Sequence, residues 1–267
     1  MIRIWRRIAA MMGINPQPVY AWPGMDVALP DHRQLHMVGS IHMGTRDMTP
    51  LPAPLLSLLR RATALIVEAD ITASTPLLTP IAIDTPLSER LSHEHYRILT
   101  RLCQEYRLDE KILAPLAAWH IAMILQLRQA EQMGLHIDYG IDYQLIQAAK
   151  DLGKPVIELE GHDKQMELLL QMPDQGNALL QDTLSHWHTN ARLLQTMMSW
   201  WINRGPTDAA KAFPPTLSGE IYQYLMTERN QRWKTRLEQL PPGDYLVAVG
   251  ALHLYGEENL PSLLQQR

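Results

Sequence analysis

The sequence lacks paired cysteines, a long apolar run and an excess of positive charge, which are typical of disulfide-bonded, membrane-spanning and nucleic-acid-binding proteins respectively. Cys103 is the single cysteine among 267 residues, so no internal disulfide can form. This cysteine usage favours a reducing, cytoplasmic setting. The chain has no stretch of about 18 consecutive apolar residues, so we expect no transmembrane segment. A net charge of −4 gives no general electrostatic surface for nucleic acid.

The N-terminal segment 1–12 carries the one basic cluster, formed by Arg3, Arg6 and Arg7. Apolar residues recur between these arginines at helical spacing, which permits a weak peripheral contact with a membrane surface. An amphipathic terminus that frays or docks on the protein is the interpretation we favour. The apolar stretch is too short and too weak for a good signal peptide.

Strands separated by helices predict an α/β fold, with a mixed sheet that starts in an antiparallel hairpin. We expect a single domain over 1–267, with a large helical insertion as a subdomain at about 88–240. The predicted strands are Met25–Leu29, Gln34–Ser40, Ala64–Glu68, Pro155–Glu160 and Tyr245–Gly250. The predicted helices are Leu55–Arg61, Ser88 to about Tyr106, Leu113–Met133, Ile141–Leu152, about Gly176 to Asn203, Leu217–Leu240 and Asn259–Gln266. Residues 71–85 are rich in Thr, Pro and Ala, which predicts a loop.

The same four-residue pattern, Gly-x-x-His, follows two of the predicted strands. It occurs as Gly39-Ser40-Ile41-His42 and again as Gly250-Ala251-Leu252-His253. Two histidines at matching strand ends would meet at one metal or one substrate. Alternatively, each glycine makes a tight turn and each histidine merely caps or packs.

Carboxylates follow two further strands, Glu68 and Asp70 after one, Glu158 and Glu160 after the other. Ligands of open α/β sheets gather beyond the carboxyl ends of the strands. Histidine with carboxylate is a ligand set for zinc, manganese, cobalt or iron. For Glu68 the alternative is an ion pair with a nearby Arg or Lys. For Glu158 we favour a solvated strand end or a helix cap.

Arg229 and Asn230 lie within a predicted helix, and their pattern alone favours a solvated helix face. An arginine beside a metal site would instead stabilise an oxyanion or a substrate carboxylate. Asp142 most simply opens a helix near its positive end, with a site role as the second choice.

Together these motifs resemble the TraB/GumN family, which includes the TIKI metalloproteases. The resemblance rests on the two Gly-x-x-His motifs, Ile66-Val67-Glu68-Ala69-Asp70, Gly140-Ile141-Asp142, Gly153-Lys154-Pro155-Val156 with Leu159-Glu160, and Glu228-Arg229-Asn230. It implies an erythromycin-esterase-like or ChaN-like fold and a divalent metal, manganese or cobalt, used to cleave peptide bonds. It also implies that His42, Glu68 and His253 meet as ligands or catalytic groups, with Arg229 and Asn230 nearby.

The leading hypothesis is a cytoplasmic, metal-dependent hydrolase, most simply a peptidase, acting on a peptide or a small-molecule substrate. His42, Glu68 and His253 would bind manganese, cobalt or zinc, while Glu68 or Glu160 would handle the proton and Arg229 the developing negative charge. One alternative is a non-catalytic protein that binds a metal, haem or another small ligand. Another is an interaction module that exposes Trp187, Trp200 and Trp201 on a helix face. The sequence does not indicate an oligomeric state.

Overall fold

The computed structural model describes residues 20–72, 82–203, 216–256 and 258–266. One five-stranded sheet lies within them, in the spatial order β1-β2-β5-β3-β4. Its strands are β1 (Gly24–Leu29), β2 (Arg33–Ser40), β3 (Ala64–Val67), β4 (Val156–Glu158) and β5 (Gly243–Gly250). β1 runs antiparallel to β2, and the other three pairings are parallel. The predicted α/β class, the mixed sheet and its N-terminal hairpin are therefore confirmed.

Helices connect and cover these strands. They are α1 (Ala53–Arg61), α2 (Leu87–Arg90), α3 (His93–Glu105), α4 (Glu110–Leu113), α5 (Ala118–Gln132), α6 (Ile141–Asp151), α7 (His162–Leu170), α8 (Asn177–Ser185), α9 (Trp187–Ile202), α10 (Gly219–Tyr222), α11 (Glu228–Glu238), α12 (Ala251–Leu254) and α13 (Leu260–Gln265). Short 3₁₀ turns occur at Arg46–Met48, Ile137–Tyr139 and Pro173–Gly176.

Both faces of the sheet are buried. Successive apolar side chains along a strand point to opposite faces, and helices pack against each face. On one face, Val247 of β5 packs in a cluster with Trp233 of α11. On the other, Leu246 packs with Leu55 of α1 and Leu145 of α6. The strand ends are thereby held between two layers of helices.

The helical region has a buried cluster of its own, which lies within 87–221. It joins α3, α5, α8 and α10 through apolar side chains that include Leu99, Ile121, Leu125, Leu180 and Ile221. Within the predicted insertion, about 88–240, α6 and α11 pack against the sheet instead, and β4 is one of its strands. The region predicted as a helical insertion thus contributes both a separate helical core and a cover for the sheet.

Two helices that we predicted as continuous are broken. The one from Ser88 is divided into α2 and α3, because Leu91 is extended and the Ser92 hydroxyl caps α3 by accepting from the His95 backbone N–H at 3.2 Å. The one from Gly176 is divided into α8 and α9 at His186, whose φ and ψ of −104° and 20° are not helical.

Three other helix predictions also need correction. The helix predicted to start at Leu113 starts at Ala118, after the short α4 and Pro115. The helix predicted over Leu217–Leu240 contains a π-helical turn, Gln223–Thr227, between α10 and α11. α7, which starts after Gly161 at a φ of +79°, was not predicted from the sequence. π-Helical turns are often found at functional sites, and this one ends two residues before Arg229.

The tryptophans proposed as an exposed interaction surface are mostly inside the protein. Trp187 and Trp200 are 4% and 8% exposed. The half-buried Trp201 donates its indole N–H to the Gly39 carbonyl oxygen at 3.1 Å. The hypothesis of an exposed tryptophan face is therefore wrong.

Two predictions fall on residues that are not described. The basic segment 1–12 lies outside the described residues, and so does 73–81 of the predicted loop. In the part of the chain that is described, no helix has the length and apolar character needed to cross a bilayer.

Candidate functional site

The two Gly-x-x-His motifs end neighbouring strands. β2 and β5 pair in parallel, with Ser40 opposite Gly250 in the register. The loop after β2 carries His42, and the short α12 after β5 carries His253. Because the carboxyl ends of parallel strands lie at the same edge of the sheet, both motifs reach that edge. The predicted convergence of the two strand ends is confirmed.

Glu68 directly follows β3 and is buried beside the end of β5. Its Oε1 accepts the Gly250 backbone N–H at 2.7 Å, and its Oε2 accepts from Arg229 Nη2 at 2.6 Å. Burial raises the pKa of Glu68, but the charges of Arg229 and the histidines and the Gly250 N–H outweigh this and lower it to about 2. The ion pair, one of the two interpretations open for Glu68, is what the structure contains.

Arg229 lies at the start of α11 and points inward to both carboxylates. Besides Glu68, it reaches Glu160, with Nε 3.0 Å from Oε1 and Nη2 2.9 Å from Oε2. Its Cζ lies 4.6 Å from the centre of the Trp233 ring, and its side chain is 13% exposed. The expectation of a solvated helix face is wrong, because two buried carboxylates draw the guanidinium into the protein.

Glu160 comes from the segment after β4 and is held next to Glu68. Its side chain is 3% exposed, and its backbone N–H donates to the Glu68 carbonyl oxygen at 3.0 Å. Arg232 Nη2 lies 3.7 Å from Glu160 Oε1 but is 42% exposed. Arg229 is therefore the principal charge partner of both carboxylates.

His253 is buried and is held in one orientation by Asn230. Its Nδ1 lies 2.7 Å from Asn230 Oδ1, and the Asn230 amide group donates to the Glu258 carbonyl oxygen at 3.0 Å. We assign the proton to His253 Nδ1, because an amide oxygen only accepts. Arg229 Nη1 lies 3.3 Å from the other ring nitrogen, Nε2. Burial lowers the pKa of His253 to about 3, so the ring is neutral at pH 7.

His42 stands at the exposed side of the same strand ends. Its Nδ1 lies 3.0 Å from Asp142 Oδ2; the imidazole is 62% exposed and the Asp142 side chain 5%. The charge of Asp142 raises the pKa of His42 to about 9. The alignment of the two groups does not meet hydrogen-bond geometry, so their attraction is one of charge. Asp142 opens α6 as expected and also contacts the motif histidine.

Two glycines fix the loop that carries His42. Gly44 forms an antiparallel bridge with His136, with N···O distances of 3.0 and 2.8 Å. A Cβ atom on Gly140 would lie 2.2 Å from the His42 carbonyl oxygen, and one on Gly44 would lie 2.3 Å from the Tyr139 carbonyl oxygen. Both positions therefore need glycine for the close approach of two backbone segments.

The other two strand-end carboxylates make different contacts. Glu158 Oε1 accepts the Asp70 backbone N–H at 2.6 Å, and Asp70 pairs with Lys150 at 2.9 Å. Glu158 thus accepts the backbone N–H of a loop residue and does not cap a helix, which was one of the two interpretations that we favoured.

The predicted metal ligands His42, Glu68 and His253 are not arranged as a ligand set. Both Glu68 oxygens accept N–H groups, and both ring nitrogens of His253 face other side chains. Across the described ranges, no group of three or more His, Cys, Asp or Glu is placed to hold a metal ion. The residues as arranged do not fit a divalent metal, and the metal stays a prediction.

The role of Trp233 was not predicted from the sequence. Its ring lies beneath the guanidinium of Arg229 and 4.4 Å from the centre of the His253 ring. A signal for this contact is present, because Arg229 and Trp233 are four residues apart and so share one face of α11.

Comparison with known proteins agrees with the motifs. A model of the TraB/PrgY/gumN family matches residues 27–267. The "Uncharacterized protein YbaP" of Escherichia coli (strain K12) is 52% identical over 246 residues, which cover 92% of this chain and 93% of that protein. The protein of the same name from Shigella flexneri matches with the same identity and coverage. No solved structure matches the chain. The chain therefore belongs to the TraB/PrgY/gumN family.

Proposed function

We propose that this chain is a hydrolase that cleaves an ester or amide bond, with His42 as the group that transfers the proton. The observation that carries this proposal is the pairing of an exposed imidazole with a buried carboxylate, His42 with Asp142, at the edge where the strands end. Histidines that pair with a carboxylate through one ring nitrogen commonly act as acids or bases through the other.

In this mechanism the neutral His42 accepts a proton at Nε2 as a water molecule attacks the carbonyl carbon. The same proton then passes to the leaving group as the carbon–leaving-group bond breaks. Asp142 stabilises the imidazolium that forms in between, because it lies 3.0 Å from Nδ1. Since the pKa of His42 is raised to about 9, the rate should increase with pH between about 7 and 9.

The buried cluster of Arg229, Glu68, Glu160 and His253 supplies a fixed positive charge at the guanidinium of Arg229. Arg229 Nη1 makes the longest of the arginine's contacts, 3.3 Å to both His253 Nε2 and the Leu225 carbonyl oxygen. We assign to Nη1 the stabilisation of the oxyanion, since these long contacts are the easiest to exchange. Glu68 and Glu160 hold Arg229 in place, and Asn230 holds His253.

Membership of the family bears on the substrate, the fold type and the cofactor. Membership of a family that resembles the TIKI metalloproteases supports a peptide substrate and an erythromycin-esterase-like or ChaN-like fold. The same resemblance is what suggested manganese, cobalt or zinc, but the contacts of Arg229 do not fit a metal, so the mechanism proposed here uses none. The single cysteine supports a cytoplasmic location.

The test is turnover of a panel of chromogenic esters and fluorogenic peptides by the tag-free protein and two variants. His42→Ala should reduce kcat/KM about a hundredfold or more. His36→Ala is the matched control, because His36 also pairs with an aspartate, Asp26 at 2.8 Å. His36 lies within β2 rather than at the strand ends, so its variant should keep the activity.

Two results would count against the proposal. Equal turnover by wild type and His42→Ala would remove the assigned role of the imidazole. Absence of turnover for every ester and peptide, together with saturable binding of any of them, would favour the non-catalytic binding protein.

A further inference from the structure

We propose that Arg229 is the built-in cation of this site and occupies the position between Glu68, Glu160 and His253 that a divalent metal would otherwise take. This inference concerns cation binding and does not depend on whether the site is hydrolytic.

The first support is the set of groups around the guanidinium. Two carboxylates and an imidazole nitrogen face it, with distances of 2.6 Å to Glu68, 2.9 Å to Glu160 and 3.3 Å to His253 Nε2. Two carboxylates and one imidazole are also a normal ligand set for zinc, manganese or cobalt. The chain therefore places groups of metal-ligating chemistry around an organic cation, while their spacing in the described structure fits the guanidinium and not a metal ion.

The second support is the charge balance. Arg229 Nη2 contacts a carboxylate oxygen of both Glu68 and Glu160, at 2.6 and 2.9 Å, so one positive charge faces two acidic groups. A divalent ion among the same carboxylates would lie at contact distance from Arg229 and be strongly repelled in this poorly solvated position. Arginine keeps its charge at any ordinary pH, so this repulsion persists.

The third support is that several contacts hold the Arg229 side chain at once. The Trp233 ring lies 4.6 Å below its Cζ, and Nη1 donates to the Leu225 carbonyl oxygen at 3.3 Å. Nε and Nη2 form a two-point contact with Glu160, the geometry in which arginine binds carboxylates best. Movement of the side chain to admit a metal would break all of these contacts together.

Removal of the guanidinium should then convert the cluster into a metal site. In Arg229→Ala, the oxygens of Glu68 and Glu160 and Nε2 of His253 would face a vacated space of the right chemistry for a transition metal. In Arg229→Lys, a cation remains on the same element, so no metal site should form. Arg232→Ala is the matched control on the same helix, because Arg232 is 42% exposed and lies 3.7 Å from Glu160.

The experiment measures Co²⁺, Mn²⁺ and Zn²⁺ binding by titration calorimetry, with the metal content of the proteins as a second readout. All proteins are tag-free and purified without chelator. Wild type, Arg229→Lys and Arg232→Ala should bind no stoichiometric metal at the cluster. Arg229→Ala should bind one equivalent, about a hundredfold or more tighter than wild type. Adding Glu68→Gln to Arg229→Ala should abolish that site.

Each outcome decides the question. One equivalent of metal in wild type that is lost in Glu68→Gln overturns the proposal, as does a folded Arg229→Ala that binds no metal. If Arg229→Ala does not fold, Arg229→Gln keeps more of the side-chain volume and takes its place in the same titration. Failure of the hydrolase assay leaves these results unaffected, so the two proposals fail separately.

Discussion

Arg229 and Glu68 are 161 positions apart in the chain, yet Arg229 Nη2 lies 2.6 Å from Glu68 Oε2 in the interior. The same nitrogen lies 2.9 Å from Glu160 Oε2. One guanidinium thus pairs with two buried carboxylates that follow the adjacent strands β3 and β4. Removing one partner of a buried charge cluster leaves uncompensated charge, so this relationship bears on stability as well as function.

Replacement of Arg229 by methionine should therefore destabilise the fold strongly. We expect Arg229→Met to lower the free energy of unfolding by about 3–5 kcal/mol, because Glu68 and Glu160 lose their principal charge partner inside the protein. Urea denaturation followed by circular dichroism measures the change.

Arg232→Met provides the control, since Arg232 is on the same helix but 42% exposed and 3.7 Å from Glu160. A 3.7 Å contact made by an arginine that stays largely in solvent contributes about 1 kcal/mol or less. Equal losses for the two variants would mean that the buried contacts of Arg229 do not carry the stability assigned to them.

The Arg229–Glu68 pair also indicates where sequence-based prediction ends. The hairpin, the parallel strands and both Gly-x-x-His ends follow local patterns, so they could be predicted within a few residues. The partner of Glu68 could not, because it depends on how α11 rotates against a sheet formed by distant segments. The amphipathic pattern of the helix placed Arg229 in solvent, and only the buried carboxylates explain why it turns inward.

The contact between His42 and Asp142 was similarly hidden from the sequence. Asp142 was expected mainly to open a helix, and it does so at the start of α6. Its approach to His42 depends on the bridge between Gly44 and His136, which joins two loops almost a hundred residues apart. Loop contacts of this kind have no periodicity from which to predict them.

Asp142 should control the titration of His42. Its charge raises the pKa of His42 to about 9. In Asp142→Asn, the pKa should fall by at least about one unit toward the ordinary histidine value near 6.5. NMR titration of the His42 ring proton measures both values. An unchanged pKa in Asp142→Asn would show that the carboxylate does not act on the imidazole.

Stability should decrease in two stages as the solution is acidified. His253 has a folded pKa of about 3, below its ordinary value, so the unfolded chain binds a proton first and stability falls below about pH 6.5. Glu68 has its pKa lowered from 4.5 to about 2, so it adds a second loss as the pH falls from about 4.5 to about 2. Each proton contributes a slope of up to about 1.4 kcal/mol per pH unit.

Glu68→Gln isolates the second stage. The slope of unfolding free energy against pH, measured by urea denaturation, should be shallower in Glu68→Gln than in wild type between about pH 4.5 and 2. Glu228→Gln is the control, because the Glu228 side chain is 46% exposed, and its slope should match wild type. A wild-type slope in Glu68→Gln would contradict the depressed pKa of the buried carboxylate.

A single methyl group at Gly140 should displace His42 without touching its side chain. The added Cβ would lie 2.2 Å from the His42 carbonyl oxygen and 2.7 Å from its carbonyl carbon, so the backbone itself must move. We expect Gly140→Ala to cost about 1–3 kcal/mol of unfolding free energy and to lower the pKa of His42, because the imidazole leaves Asp142. Gly219→Ala is the control, since no atom lies within 4 Å of a Cβ there, and it should be neutral or slightly stabilising. Retention of the wild-type His42 titration in a folded Gly140→Ala would show that the close approach of the two backbones does not position the histidine.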